Sequence, residues 1–150
     1  MAIHTRSSTL NGVELVAWRA FMRAHARLTR GLESELEAAD NLPLRSFMVL
    51  LELEHAPGRR LRMSDLAEAA GLSRSGLSRL IDRLVSEGLI ERAECDDDGR
   101  GSFAVLTPAG EARVNAATPT HTAAVRQLFV SSFTAAELRE LSGFLSRIAD

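Results

Sequence analysis

The chain has 150 residues, one ordinary domain's worth of protein, enough to bury about two thirds of the surface that its unfolded form exposes. Hydrophobic content of 45% and charged content of 25% match globular usage, and no apolar run reaches the roughly 20 residues of a membrane span. A formal net charge of -2 is not that of a dedicated polyanion binder, so any such role must rest on local charge. All 18 basic residues are arginine. A GC-rich coding genome explains that bias most cheaply, although the planar guanidinium fork also suits phosphates and base edges.

In chain order, the opening MAIHTRSSTLNG lacks the charged-then-apolar pattern of a secretory leader, and the single Cys95 cannot form an internal disulfide. The cytoplasm is the expected compartment. From Leu15 to Ala39, Val16, Phe21, Leu28, Leu32 and Leu36 recur at helical spacings with Arg19, Arg23, Arg27 and Arg30 between them, which predicts a long first helix. A second follows, with Pro43 in its first turn, Phe47, Leu50, Leu51 and Leu53 as its apolar content and Pro57-Gly58 as its stop. RRLRM at 59–63 is a short strand candidate. Ser64 is expected to cap a short helix that Gly71 ends, and Ser73 to cap another that runs to about Glu87 and closes at Gly88. Two short helices joined by a turn containing glycine form a helix-turn-helix signature.

Beyond it, LIERAE and SFAVLT alternate apolar and polar residues around an Asp/Gly-rich tip, as in a hairpin. Thr107-Pro108 starts a helix with Val114, Val125, Leu128 and Phe129, extending to about Ser132, with a kink or break expected near Ala117–Pro119. Thr134 caps a last helix carrying Leu138, Leu141, Leu145 and Ile148. The fold class is therefore mainly α with a small β wing. Residues 42–107 form a winged helix-turn-helix lobe, 10–40 and 108–150 a helical region, and 1–150 a single domain. A central domain of about 65 residues cannot cover the apolar faces at both chain ends, and a second copy would, so a homodimer is expected.

On a 100-degree wheel, residues 73–87 place Leu77, Leu80, Ile81 and Leu84 on one face. Ser75, Ser78, Arg79, Asp82 and Ser86 occupy the other. The first face is core. The second is narrow and built of small residues, a shape that fits a major groove, and Arg74 and Ser75 lie at the N-terminal end where base contacts concentrate. Arg74, Ser75, Ser78 and Arg79 are thus the candidate DNA contacts; the alternative is a solvated face that does nothing specific. Arg59, Arg60 and Arg62 are candidates for phosphate contacts, or equally for a solvated strand edge.

LRMSDLAEAAGLSRSGLSRLIDRLVSEGLIER followed by DDDGRGSFAVLTPAG resembles the MarR family of bacterial transcriptional regulators. The most specific elements are Leu84, Gly88, Leu89, Ile90, Glu91 and Arg92 at the exit from the second helix, Asp98-Gly99-Arg100-Gly101 in the wing, and VLTPAG at 105–110. The resemblance implies a dimeric winged-helix protein that binds a palindromic double-stranded DNA operator, usually as a repressor, and is often released by a small aromatic or phenolic effector. It implies that Arg100 enters the minor groove, and that Asp98 braces the wing against an arginine of the recognition region, with Arg83 or Arg79 as partner. Asp96 and Asp97 are expected to be solvated on the hairpin shoulder. The sequence departs from the family at Gly99, which stands where an arginine is common. For the effector, the resemblance implies Trp18, Met22, His25, Arg45, Met48 and Arg113, of which Trp18 and Arg45 offer a stacking surface and an anion partner.

Neighbouring carboxylates at Glu94 and Asp96 disfavour a Cys95 thiolate, which argues against a peroxide sensor. His4, His25, His55 and His121 show no metal-ligand spacing, and no metal or cofactor is expected. With no nucleophile elbow, phosphate-cradling loop or His-carboxylate pairing, an enzyme is disfavoured. The competing reading is a winged-helix protein that acts through a protein partner, which the acidic wing would favour.

Overall fold

The computed structural model describes residues 9–94 and 101–149. Helix α1 (Gly12–Asp40) starts three residues before the expected Leu15 because Asn11 and Glu14 form a capping box. The Asn11 side chain accepts from the Glu14 amide at 3.0 Å, and the Glu14 carboxylate accepts from the Asn11 amide at 2.8 Å. Asn41, at φ 49°, ends the helix in the left-handed region that asparagine tolerates. Helix α2 (Leu44–His55) begins directly after Pro43, and its first amide is capped from a distance: Leu44 donates to the Glu33 carboxylate of α1 at 2.9 Å.

A short 3-10 turn (Pro57–Arg59) leads into β1 (Arg60–Arg62), so RRLRM does hold a strand. Helix α3 (Met63–Ala69) does not start from a Ser64 cap. Arg62 precedes its first turn, and the Ser64 hydroxyl donates to Asp65. Gly71 turns the chain at φ 62°, and α4 (Arg74–Ser86) starts on Ser73, whose Oγ accepts from the Gly76 amide at 3.1 Å. Strands β2 (Ile90–Glu94) and β3 (Ser102–Leu106) pair antiparallel from Ile90 opposite Leu106 to Glu94 opposite Ser102. β1 joins the other edge of β3, with Leu61 opposite Ala104, which makes the sheet three-stranded in the order β1-β3-β2.

Helix α5 (Pro108–Leu128) starts at Thr107, whose hydroxyl accepts from the Gly110 amide and donates to the Gly88 carbonyl at 2.7 Å. It is not broken at Pro119. The bond lost there would have run to Asn115, and both residues are exposed, so water can satisfy the freed carbonyl. The helix ends at Leu128, short of the expected Ser132, and a 3-10 turn (Val130–Ser132) precedes α6 (Ala135–Ala149). Thr134 donates from its amide and its hydroxyl to Glu137, which holds that carboxyl below the usual range.

The core lies where α2, α4, the sheet and the start of α5 meet the C-terminal half of α1: Leu36, Phe47, Leu50, Leu53, Ile81, Leu84, Ile90 and Val114 are almost wholly buried. The N-terminal half of α1 and α6 bury no residue within a single chain. Val13, Val16, Phe21, Phe144 and Ile148 are exposed there. None of the helices among the described residues is long and apolar enough to cross a membrane.

His121 of α5 lies against the Phe47 ring, centroids 4.7 Å apart, and burial holds its pKa below the ordinary 6.5. The unfolded chain therefore takes up a proton that the folded imidazole refuses. The stability is full above pH 6.5 and falls as the pH drops below it. Thermal melts over about pH 5 to 7 should show that fall reduced in His121→Gln; an unchanged profile would contradict the assignment.

Candidate nucleic-acid interface

Ser73 fixes the start of α4, and Leu77, Ile81 and Leu84 anchor one of its faces in the core. The opposite face must then point outward. Arg74, Ser75 and Arg79 are exposed on it, and Ser78 is half-buried. Neither Arg74 nor Arg79 has a hydrogen bond or ion pair to another described residue, so both guanidinium forks keep all their donors. The amide end of α4 adds a positive dipole end beside Arg74. A cleft of about 410 Å³ runs between this face, the start of α3 and the β hairpin, lined by Arg74, Ser75, Ser78 and Arg92 among others.

Other arginines have protein partners. Arg59, an expected phosphate contact, pairs with Glu111 of α5 and stays half-exposed. Arg60 and Arg62 stack over Phe103 of β3, their guanidinium carbons 4.0 and 5.4 Å from the ring centre, and so remain exposed cations on the outer sheet face. Asp98 and Arg100, with Cys95, lie outside the described residues. Arg83, a candidate for the Asp98 brace, turns toward α2: it donates to the buried Ser46 Oγ at 2.5 Å and lies 3.8 Å from Glu87. Among the described residues a polar tie between α4 and β2 is made by Arg92, which sequence reasoning missed as a site residue. It donates to Asp82 Oδ1 at 2.7 Å and to Ser78 Oγ at 3.3 Å. Only the strand register, invisible in sequence spacing, brings it there.

The six residues expected around an effector do not converge within one chain. Trp18 and Met22 are 53% and 44% exposed on α1, and Trp18, Phe21 and His25 form an aromatic ladder with ring centres 6.1 and 6.3 Å apart. Met48 is exposed on α2. Arg113 is committed to structure, donating to the carbonyls of Asp40 at 2.6 Å and Asn41 at 3.0 Å, where it holds the end of α1. Arg45 alone of the six lines a cleft of about 630 Å³ between α1, α2 and α4, together with Arg30, Arg83, Pro43, Leu72 and Leu80. Among the described residues there is no group of three or more His, Cys, Asp or Glu side chains able to hold a metal ion.

Residues 40–101 match the sequence profile of the MarR family. Over 97 residues the chain is 32% identical to the transcriptional repressor MprA of Escherichia coli K12, a match covering 65% of this chain and 54% of MprA. The chain thus spans about half the length of the curated relatives it matches. AbsC, a MarR family transcriptional regulator from Streptomyces coelicolor, is 36% identical and superposes with a TM-score of 0.87 over 95% of this chain and 96% of AbsC. Sco3205, a MarR family regulator from the same organism solved in complex with DNA, is 33% identical with a TM-score of 0.87, over 94% of this chain and 92% of Sco3205. A mutant MarR from E. coli complexed with operator DNA is 25% identical, with a TM-score of 0.79 over 94% and 99% of the two chains. With a capped helix-turn-helix, a three-stranded wing and likeness along nearly its whole length to such regulators, the chain belongs to the MarR family of transcriptional regulators.

Proposed function

We propose that this regulator binds a palindromic DNA operator as a homodimer, with α4 in the major groove and Arg100 of the wing in the minor groove, and represses transcription in the cytoplasm. The observation that carries the reading is the pair of guanidinium forks, Arg74 and Arg79, without a partner among the described residues on the exposed small-residue face of α4, while Arg59, Arg83, Arg92 and Arg113 are engaged by protein groups. The apolar surfaces left by α1 and α6 support the dimer, since a second copy with its own α1 and α6 supplies a matching face. The cleft bearing Arg30 and Arg45 over Pro43, Leu72 and Leu80 supports a small aromatic or phenolic effector with an anionic group: the cations attract the charge, and the apolar floor takes the ring.

The test is a fluorescence-anisotropy titration with the intergenic DNA beside the chain's own gene and with scrambled DNA, across salt. Phosphate neutralisation gives a slope of about -0.9 per contact in log affinity against log salt, and base readout gives preference for the intergenic duplex. A flat salt dependence without preference would instead support action through a protein partner.

A further inference from the structure

From β2 the Arg92 guanidinium reaches the outer face of α4. Its Nη2 lies 2.7 Å from Asp82 Oδ1, 3.3 Å from Ser78 Oγ and 3.4 Å from the Ser78 carbonyl oxygen. Asp82 is the one carboxylate in α4 and shares the outward face with Ser75, Ser78 and Arg79. Left alone there, it would repel the phosphates on either side of a groove. Arg92 cancels that charge. The Arg92 and Asp82 side chains are 36% and 66% exposed, so the pair adds little to stability, and its consequence lies in what α4 presents.

The Ser78 contact has a direction. A guanidinium has no acceptor, so in this contact, whose hydrogen is shared between the Ser78 hydroxyl and carbonyl oxygens, the hydroxyl oxygen accepts, and no described residue accepts its single hydrogen. Ser78 then offers a donor, which fits guanine N7 and O6, adenine N7 or thymine O4, and does not fit the amino group of cytosine.

We propose that Arg92 is a specificity-determining positioning residue: it neutralises Asp82 and orients Ser78 as a hydroxyl donor toward a base acceptor. This rests on the reading of α4 as the recognition helix and assigns its polarity at one position.

The test uses a duplex that the wild-type chain enriches from a random-sequence pool, and a scrambled duplex of equal length and composition. Arg92→Ala should lower affinity for the selected duplex by ~10-fold or more and for the scrambled one by clearly less. Adding Asp82→Asn restores the local charge balance, so scrambled-duplex affinity should return toward wild type while discrimination stays reduced. Ser78→Ala should cost discrimination in the wild-type background and almost nothing further in Arg92→Ala, the non-additivity of two residues acting as one unit. Arg92→Lys, which keeps the charge without the fork, should hold scrambled-duplex affinity and lose discrimination. Equal weakening of both duplexes by Arg92→Ala, with Ser78→Ala costing the same in either background, would make Arg92 a mere charge and overturn the proposal. A wild-type chain that enriches no duplex would overturn the DNA reading itself, and the proposal with it.

Discussion

Replacing Gly110 by alanine should destabilise the fold by about 3 kcal/mol, the upper end of the usual overpacking range. A Cβ built at Gly110 lies 2.1 Å from the Leu89 carbonyl oxygen, 2.7 Å from Leu106 Cδ1 and 3.0 Å from the Leu89 carbonyl carbon. Two of these three neighbours are backbone, and that backbone is held fast. The Leu89 amide donates to the Leu84 carbonyl at 2.9 Å, its carbonyl accepts from the Thr107 amide at 3.1 Å, and the Thr107 hydroxyl ties down Gly88. To admit one methyl group, the start of α5 must lift from the turn joining α4 to β2. At about 2–4 °C per kcal/mol for a chain of this size, Tm should fall by roughly 6–12 °C at fixed protein concentration. Gly143→Ala is the matching control. A Cβ there meets nothing within 4 Å, and inside a helix the change should raise stability by about 0.5–1 kcal/mol. Equal melting of the two variants would show that the α5 junction is not the tight contact described.

Arg79→Ala should reduce discrimination between the operator and scrambled DNA by about 1–3 kcal/mol, or roughly 5- to 150-fold, with a smaller effect on non-specific binding. The side chain is exposed and without a partner among the described residues, so its loss leaves the fold intact. Arg100→Ala should behave differently: in the role proposed for it, Arg100 acts mainly on phosphates and groove shape, so binding should weaken more evenly across sequences and the salt slope fall by about one unit. Unchanged operator affinity in both variants would remove α4 and the wing from the interface.

The parts of this molecule legible in the sequence are those set by local chemistry. Ser73 before an apolar 3.6-residue repeat, Thr107 before Pro108 and Gly71 at a left-handed turn each determine a boundary without outside help, and the same periodicity sorted α4 into a core face and an outer face. Local chemistry also misled. Ser64 was the expected cap of α3, yet β1 runs straight into the helix and Arg62 takes that position; Pro119 was the expected break in α5, yet it and Asn115, whose carbonyl loses a bond, both lie on the exposed side of an unbroken helix. Tertiary placement was the illegible part. Arg92 meets Asp82 and Ser78 because Ile90 pairs with Leu106 and β2 turns back along α4, and Glu33 caps Leu44 across 11 residues. Within one chain the expected effector residues lie apart for the same reason: spacing along a helix fixes a face, and Trp18 and His25 share theirs with an aromatic ladder, while Arg113 holds the end of α1.

The central claim is that α4 reads base edges in the major groove of a palindromic site, and methylation interference on a duplex that the chain selects tests it most directly. Methyl groups on guanine N7 project into the major groove, and those on adenine N3 into the minor groove. The account predicts two blocks of guanine N7 interference about one helical turn, ~10 base pairs, or a multiple of it apart, one for each α4 of the dimer. Bound complexes that tolerate N7 methylation throughout, or that are blocked by adenine N3 methylation alone, would contradict it.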